Sequence, residues 1–286
     1  MTGVCDVVDY PLYVAGKAVT TTQWLEVHDK YRNKIYARVA LADAKILEKA
    51  IAASVKAEAD MAALKPFQKQ KILLHCVKRF NELREELTEI LIAEGGKPRG
   101  AASAEVERLI NTFQLAADAV TQLDDGHLLP LAVTAAASRY RGMVKHVPIG
   151  AVSLISPFNF PLNLVAHKIA PAIAAGCPFV LKPASLTPIS ALMIAKVLAE
   201  TDFLVTDDRF KLLSFTGSDQ VGWDMKARAG RKKVTLELGG NAAVLIDADT
   251  VIDDVLIDRL ISAAYGHAGQ VCISVQRILI HTDIYA

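Results

Sequence analysis

The spacing of apolar and polar residues changes character near Gly150. Up to that point, the pattern predicts short strands followed by long amphipathic helices. The predicted strands are Tyr10–Val14, Trp24–Val27 and Ile35–Leu41, and the predicted helices are Asp43–Met61, Pro66–Glu94 and Ala101–Leu123. The second helix has Pro at its start and two glycines after its end, which is the usual asymmetry of helix termini. The alternating segment Ser138–Val147, with basic residues on one side, predicts an exposed strand arm.

Beyond Gly150, strand patterns and helix patterns alternate along the chain. The predicted strands are Ala151–Ile155, Phe179–Lys182, Lys211–Phe215, Lys233–Leu236, Ala242–Ile246 and Arg277–His281. The predicted helices between them are Pro161–Ala175, Pro188–Glu200, Ser218–Gly230 and Ile252–Ala268. Strands that alternate with helices of this length form parallel sheets with helices on their faces. The sequence therefore predicts the α/β fold class.

Composition excludes several classes of function. The chain has 286 residues, of which 52% are hydrophobic, and its 32 Lys and Arg residues balance 31 Asp and Glu residues. We therefore expect no nucleic-acid partner, because no net field or basic run attracts one. We expect no membrane partner and no signal peptide, since no apolar run is long enough and the N-terminus lacks the required pattern. The scattered cysteines predict no metal site and no disulfide framework, and they suit the cytoplasm.

A thiol and a carboxylate are the first candidates for chemistry. Cys272 follows Gly269-Gln270-Val271, and a cysteine on a glycine-containing loop is a candidate nucleophile when nearby amides or cations favour its thiolate. The competing interpretation is a structural cysteine, which we assign to Cys5, Cys76 and Cys177. Glu237 ends an apolar run and precedes Leu238-Gly239-Gly240, so its carboxylate can take a proton from water. A structural Glu at a sheet edge is the alternative.

Two further segments have the composition of binding turns. Asn159 lies between Pro157 and Pro161, and its amide can donate to a developing oxyanion. An ordinary turn or helix-capping Asn is the alternative. Thr216-Gly217-Ser218 closes a strand and opens a helix, and free amides at a helix N-terminus suit a phosphate oxygen. Turn chemistry alone is a weak signal for that role.

Jointly, and in this order, these segments resemble the aldehyde dehydrogenase superfamily from about Tyr10 to the end of the chain. The motifs that carry the resemblance are Asn159 with its flanking prolines, Lys182-Pro183, Phe215-Thr216-Gly217-Ser218, Glu237-Leu238-Gly239-Gly240 and Cys272. The resemblance implies that Cys272 is the nucleophile, Glu237 the general base and Asn159 an oxyanion donor, with NAD or NADP as the cofactor. The residues that it implies for cofactor binding are Ile155, Ser156, Phe158, Lys182, Ser185, Gly217, Ser218, Gly222 and Leu238.

Ser185 bears on the choice of cofactor. Many relatives that prefer NAD carry a carboxylate at this place, which binds the ribose hydroxyls and repels a 2′-phosphate. A serine removes that repulsion, so we expect either NAD or NADP to be accepted. Arg108 and Arg277 are candidates for binding an anionic aldehyde, because guanidinium geometry matches such groups. Surface or inter-helix arginines are the alternative for both.

The resemblance also implies a domain organisation. It predicts strands and helices over 1–131 that pack on the cofactor domain and a projecting strand arm over 132–148. It further predicts a Rossmann-like dinucleotide-binding domain over 149–238 and the incomplete beginning of an α/β catalytic domain over 239–286. The family carries roughly 20 further residues between Thr201 and Asp202, about one strand and loop of a crossover unit. Relatives also continue beyond Ala286. We expect a homodimer or homotetramer when the protein is complete.

Three functions follow as hypotheses. The first is NAD(P)-dependent oxidation of an aldehyde to a carboxylic acid through a cysteine thiohemiacetal and thioester. The second is a truncated, non-catalytic remnant of such an enzyme that acts only by associating with other chains. The third replaces water by coenzyme A as the acyl acceptor, and Glu237 argues against it because a water-activating base favours hydrolysis.

Overall fold

The structure, a computed structural model, describes residues 7–123, 126–131, 133–201, 211–230 and 232–285. Cys5 and the point between Thr201 and Asp202, both discussed above, lie outside the described residues. Contacts divide the chain into two compact units. The first comprises the described residues of Met1–Ser214 and Arg231–Thr235, and the second those of Phe215–Gly230 and Leu236–Ala286. The predicted domain boundaries at 131, 148 and 238 stay a prediction.

The first unit begins with short strands followed by five helices. The strands are β1 (Val8–Tyr10), β2 (Leu12–Val14), β3 (Lys17–Val19), β4 (Trp24–His28) and β5 (Ile35–Ala40). The helices are α1 (Ala44–Lys56), α2 (Glu58–Ala63), α3 (Pro66–Glu82), α4 (Arg84–Gly95) and α5 (Arg99–Leu123). Strand β5 lies between β1, its parallel partner, and β4, its antiparallel partner, while β2 and β3 form a hairpin.

The alternating part of the chain follows as the sequence predicts. It is preceded by β6 (His127–Leu129), where the sequence pattern predicts no strand, and by β7 (Gly142–Val144). It begins with β8 (Val152–Ile155), α6 (Asn163–Ala174), β9 (Phe179–Lys182), α7 (Ile189–Ala199) and β10 (Leu212–Thr216). The remainder are α8 (Asp219–Arg228), β11 (Lys233–Glu237), β12 (Ala242–Ile246), α9 (Asp254–Tyr265) and β13 (Val275–Ile280). The largest sheet has the order β11-β10-β8-β9, and β8 and β9 are parallel. The α/β fold class is thereby confirmed.

The core of the first unit lies where α3, α5 and α6 pack together. Phe80 of α3 and Phe113 of α5 are fully buried, and their rings meet edge to face with centroids 5.1 Å apart. Cys76 is buried beside them, and burial raises the pKa of its thiol to about 12. Cys177 is buried as well. Neither thiol is therefore placed to react with a solute.

Local patterns misplace several element boundaries. The predicted helix Asp43–Met61 is divided at Ala57 into α1 and α2. The predicted helix Pro66–Glu94 is two helices, because the backbone of Leu83 leaves helical angles with φ −96° and ψ 11°. Apolar residues continue across this break, so the sequence pattern does not show it. The predicted strand Ser138–Val147 reduces to β7, which pairs antiparallel with β6, because hydrogen bonds within Thr134–Tyr140 close turns instead.

A further misplaced boundary lies just before the candidate nucleophile. The predicted helix Ile252–Ala268 ends at Tyr265, because His267 and Ala268 adopt left-handed backbone angles with φ of 52° and 55°. Such angles are uncommon for residues with a Cβ and store strain, which concentrates at functional sites. The end of this helix is thus set by the loop that leads to Cys272.

Candidate functional site

Cys272 lies in an exposed turn directly before β13 in the second unit. Two hydrogen bonds of the buried Ser274 fix this turn. The Ser274 N–H donates to the Val271 carbonyl at 3.0 Å, and its hydroxyl donates to the Ala264 carbonyl near the end of α9 at 2.9 Å. Sequence reasoning missed Ser274, whose only signal is a small polar residue two places after the thiol. The thiol is therefore accessible on a backbone that is anchored on both sides.

Glu237 is the last residue of β11, as the sequence predicts, and it is exposed. The second of the two glycines that follow, Gly240, permits a close approach to the cysteine turn. A Cβ built on Gly240 would lie 3.0 Å from the carbonyl oxygen of Cys272, which is tighter than ordinary side-chain contacts. The segment that carries the candidate base therefore lies against the backbone of the candidate nucleophile.

The turn Thr216-Gly217-Ser218 joins β10 to α8 at the predicted place. Ser218 is the N-cap residue of α8, and its side chain makes no capping hydrogen bond. The Gly217 N–H donates to the Glu237 carbonyl at 3.0 Å. A Cβ on Gly222 would lie 2.4 Å from the Leu238 side chain, so only glycine fits without displacement. Three of the sequence motifs therefore converge within the second unit.

The residues of this turn fit the polar end of a dinucleotide. The first N–H groups of a helix such as α8 carry partial positive charge and bind phosphate oxygens. Because the Ser218 side chain does not cap the helix, its hydroxyl can serve a ligand instead. Gly217 and Ser218 are thus suited to a pyrophosphate, with Gly222 and Leu238 packed beneath them.

Asn159 lies in the first unit, in the bend between β8 and α6. Its amide oxygen accepts from the N–H of Phe160 at 3.1 Å, so the NH₂ end of the amide points away from that backbone. The Phe160 ring in turn contacts two cations. Lys97 Nζ lies 4.0 Å from the ring centroid, and the guanidinium carbon of Arg108 lies 5.5 Å from it. The turn that carries Asn159 is therefore held by Lys97, just before α5, and by Arg108 of α5.

A buried ion pair supports the same turn, and sequence reasoning missed it. Lys97 and Glu105 are almost fully buried and paired with each other. Glu105 also accepts from the N–H groups of Leu162 and Asn163, at 3.0 and 3.2 Å, and so satisfies the N-terminus of α6. Burial lowers the pKa of Lys97, and the charge of Glu105 opposes that shift. No sequence pattern around Lys97 or Glu105 indicates that they pair, because the tertiary packing brings the two side chains together.

The other predicted cofactor residues lie at the ends of β8 and β9 in the first unit. Ile155 and Lys182 are opposite each other in this parallel pair, and the Ser156 N–H donates to the Lys182 carbonyl at 3.2 Å. The exposed Lys182 ammonium donates to the Ser185 hydroxyl at 3.4 Å. The carbonyl of Phe158 accepts from a threonine hydroxyl at 3.3 Å. Ligands of open α/β sheets bind outside the carboxyl ends of their strands, where these residues lie.

A second buried carboxylate anchors the helix that follows β9. Glu94 is fully buried and accepts from the N–H groups of Ile189 and Ser190, both at 2.8 Å, as well as from the Ser190 hydroxyl. Burial raises the pKa of Glu94 to about 7, although these hydrogen bonds oppose the shift. The start of α7 is thus held by a group from α4 that sequence reasoning also missed.

The two candidate arginines lie in different units and are both exposed. Arg108 is on α5 over the Phe160 ring, and Arg277 on β13 donates to the Asn241 carbonyl at 3.2 Å. Their role in binding an anion stays a prediction. Among the described residues, no group of histidines, cysteines and carboxylates is arranged to hold a metal ion. In the same ranges, no helix is both long and apolar enough to cross a membrane.

Comparison with known proteins gives consistent matches over nearly the whole chain. The model of the aldehyde dehydrogenase family matches residues 17–286. The chain is 35% identical to the 3-sulfolactaldehyde dehydrogenase of Priestia megaterium, over an alignment of 304 positions that covers 100% of this chain and 63% of that protein. It is 34% identical to the lactaldehyde dehydrogenase of Methanocaldococcus jannaschii, covering 96% of this chain and 62% of that protein.

Solved structures agree with the sequence matches. The crystal structure of aldehyde dehydrogenase 21 from Physcomitrella patens, in complex with the reaction product succinate, superposes with a TM-score of 0.92. Its sequence is 43% identical, and the match covers 98% of this chain and 62% of that chain. The present chain thus spans somewhat less than two thirds of the length of the relatives it matches. From the family match and the shared fold, the chain belongs to the aldehyde dehydrogenase family.

Proposed function

We propose that this chain carries the cofactor-binding and nucleophile-bearing parts of an enzyme that oxidises an aldehyde to a carboxylic acid with NAD or NADP. The observation that carries the proposal is the convergence of three motifs in the second unit. Gly217 is hydrogen-bonded to the backbone of Glu237, and Gly240 lies against the backbone of Cys272. A phosphate-binding turn, a carboxylate and a thiol therefore belong to one compact part of the chain.

The proposed chemistry begins at the thiol. Cys272 Sγ attacks the carbonyl carbon, a C–S bond forms and the carbonyl electron pair moves to oxygen. The resulting oxyanion accepts hydrogen bonds from the Cys272 N–H and, by resemblance, from the amide of Asn159. The nicotinamide dinucleotide, when bound, supplies the acceptor for the hydride that leaves the substrate carbon. Glu237 then takes a proton from water, whose oxygen attacks the thioester, and the C–S bond breaks to release the acid.

Several residues would hold the cofactor. By the resemblance, these are Ile155, Ser156, Phe158, Lys182, Ser185, Gly217, Ser218, Gly222 and Leu238. The Lys182 ammonium and the Ser185 hydroxyl suit the ribose end because together they offer donors and no negative charge. For the same reason a 2′-phosphate meets no repulsion, which supports acceptance of NADP as well as NAD.

The substrate is proposed to be a short aldehyde with an anionic group. One relative, at 35% identity, is a dehydrogenase of the anionic 3-sulfolactaldehyde, and the superposed structure from Physcomitrella patens holds the dianion succinate. The relative at 34% identity is a dehydrogenase of lactaldehyde, which is short but uncharged, so it supports the size of the substrate and not its charge. Arg108 and Arg277 are the candidate partners of a carboxylate or sulfonate. The exposed surface of both guanidinium groups is compatible with that role.

The test is turnover of purified protein with aldehydes of different charge. Succinic semialdehyde, 3-sulfolactaldehyde and propanal would each be mixed with NAD and NADP, and the absorbance of the reduced cofactor followed. Cys272→Ser should abolish turnover and leave cofactor affinity, measured by calorimetry, within about twofold, because serine is a far weaker nucleophile without a base. Cys5→Ser is the matched control and should retain activity. Turnover that survives Cys272→Ser would refute the mechanism.

A non-catalytic remnant is the second candidate, and the surface of the second unit favours it. Helix α9 has no buried residue, and large apolar side chains such as Leu245 and Ile273 are 78% and 76% exposed. Apolar patches of this kind mark surfaces that associate with other protein. This alternative predicts no cofactor binding and concentration-dependent association. The intact mass of the native protein, compared with 30.9 kDa, and a cofactor titration separate the two candidates.

A further inference from the structure

One buried ion pair holds the segment around Asn159 at two points. Glu105 of α5 accepts from two backbone N–H groups at the start of α6, at 3.0 and 3.2 Å. Its partner Lys97 places Nζ 4.0 Å from the centroid of the Phe160 ring. The pair therefore contacts the residue directly after Asn159 and the helix that begins shortly after it.

The side-chain amide of Asn159 is connected to the same segment. Its oxygen accepts from the N–H of Phe160 at 3.1 Å. An amide group is planar, so the place of its oxygen and the torsion angles of the side chain set the direction of its NH₂ donor. A movement of the Phe160 backbone breaks this hydrogen bond or turns the donor. The contacts of the ion pair therefore restrain the direction of the Asn159 amide.

Stability of the fold alone gives no reason for charges at this place. Lys97 and Glu105 are 4% and 1% exposed, so both charged groups have left water. An apolar pair of similar volume often stabilises a protein as well or better, because desolvation of charges costs free energy. An apolar pair cannot accept from the N–H groups of α6, however, and has no charge to attract the face of a ring. The ion pair is therefore better suited to placement than to stability.

We propose that Lys97 is a positioning residue for the oxidation: acting through its ion-pair partner and the Phe160 ring, it fixes the direction in which the Asn159 amide donates to the substrate oxyanion. The inference rests on the proposed function, because that oxyanion forms only when a thiol attacks an aldehyde. A misplacement of about 1 Å can cost roughly 100-fold in rate, whereas binding of the aldehyde and the cofactor depends on other groups. Loss of the cation should therefore lower kcat and leave KM almost unchanged.

The variants remove one contact each and leave the site filled. Lys97→Met together with Glu105→Gln removes both charges, and the glutamine oxygen can still accept from the start of α6. This double variant leaves the ring and its second cation, Arg108, in place. Phe160→Leu keeps the ion pair and removes the ring, and Phe160→Tyr is the conservative variant that retains the ring. Phe67→Leu, at an exposed position on α3, is the matched control.

Steady-state kinetics give the first readout, with the aldehyde that the native chain oxidises. The double variant and Phe160→Leu should each lower kcat about tenfold, since one oxyanion donor is worth roughly 100-fold or more. In the double variant, KM and the dissociation constant of the cofactor should stay within about twofold. Phe160→Tyr and Phe67→Leu should keep the native kcat within about twofold. A double variant that is less stable but has the native kcat overturns the proposal.

A second readout does not depend on turnover. The chain has six asparagines, so selective labelling with ¹³C,¹⁵N-asparagine gives a simple NMR spectrum, in which Asn159→Asp identifies the signals of Asn159. The three-bond couplings of its Cγ to the backbone nitrogen and carbonyl carbon report the χ1 angle. In the double variant these couplings should move towards rotamer-averaged values, while those of Asn81, whose amide donates to Val77, should not change.

The two readouts separate this inference from the proposed function. Unchanged Asn159 couplings in the folded double variant overturn the positioning role, whether or not the native chain is active. An inactive native chain whose Asn159 couplings respond as expected contradicts the proposed function and supports the restraint on the amide. If circular dichroism shows that the double variant does not fold, Phe160→Leu replaces it in both measurements.

Discussion

Replacement of the buried Glu94 by glutamine should change how the stability of the protein depends on pH. Glu94 is fully buried, and its oxygens accept from two backbone N–H groups of α7 and from the Ser190 hydroxyl. Burial raises the pKa of this carboxyl from 4.5 to about 7. Lys30, whose charge favours the ionised form, opposes the shift without cancelling it. The folded state therefore binds a proton that the unfolded state releases.

The sign and the size of the effect follow from this pKa. Below the unfolded pKa of 4.5, both states are protonated and the contribution of Glu94 is fully present. Between about pH 4.5 and 7, the unfolded chain releases this proton while the folded protein keeps it, so the contribution falls progressively and is lost once the pH exceeds the folded pKa of about 7. One pKa unit corresponds to roughly 1.4 kcal/mol, so the shift is equivalent to about 3 kcal/mol of unfolding free energy. The glutamine side chain of the Glu94→Gln variant does not titrate, so the variant lacks this dependence.

The assay is urea unfolding at several values between about pH 5 and about pH 8, with the variant and the native chain treated alike. The difference in unfolding free energy between them should change by about 3 kcal/mol over this window, with the native chain favoured at the acidic end. Glu48→Gln, at an exposed position on α1, is the matched control. A constant difference would refute the reasoning. A native chain that gains stability relative to the variant as pH rises would show that hydrogen bonds to α7 outweigh burial.

Two further substitutions test other parts of the structure. Gly222→Ala places a Cβ 2.4 Å from the Leu238 side chain. It should weaken cofactor binding several-fold, measured by calorimetry, and lower the unfolding free energy by about 1–3 kcal/mol, measured by urea unfolding. Gly239→Ala, with open space around it, is the control and should change neither quantity. Lys97→Met leaves Glu105 buried without its cation and should lower the unfolding free energy by about 3–5 kcal/mol. The double variant with Glu105→Gln should recover part of this loss. If the effects of the two single changes simply add, the two side chains are not coupled and the reasoning is wrong.

Much of the fold follows from local patterns in the sequence. Alternating strand and helix signals predict the α/β class, and several elements lie at the predicted bounds, β9 and β12 without any shift. Glu237 at the end of β11 and Ser218 at the start of α8 are where the sequence predicts them. These features depend on a few neighbouring residues, so the spacing of apolar residues and the turn-forming residues are enough to predict them. Their catalytic and binding roles stay predictions.

The misplaced boundaries have a common origin. Leu83 interrupts a helix although apolar residues continue on both sides of it, and the left-handed residues after Tyr265 end another helix early. At the end of α9, the backbone is held by a residue outside the helix, because the Ser274 hydroxyl donates to the carbonyl of Ala264. The periodicity of apolar residues indicates which face of a helix is buried. It does not indicate where tertiary contacts end the helix.

The sequence by itself determined the alternation of strands and helices after Gly150, the loop that carries Cys272 and the family to which the chain belongs. Only the tertiary structure decided that Glu94 and Glu105 are buried beneath the starts of α7 and α6, and that an apolar cavity lies between α1, α7 and β9. The physical reason is that burial and pairing join residues far apart in the chain. The sequence pattern around either partner therefore does not indicate such contacts.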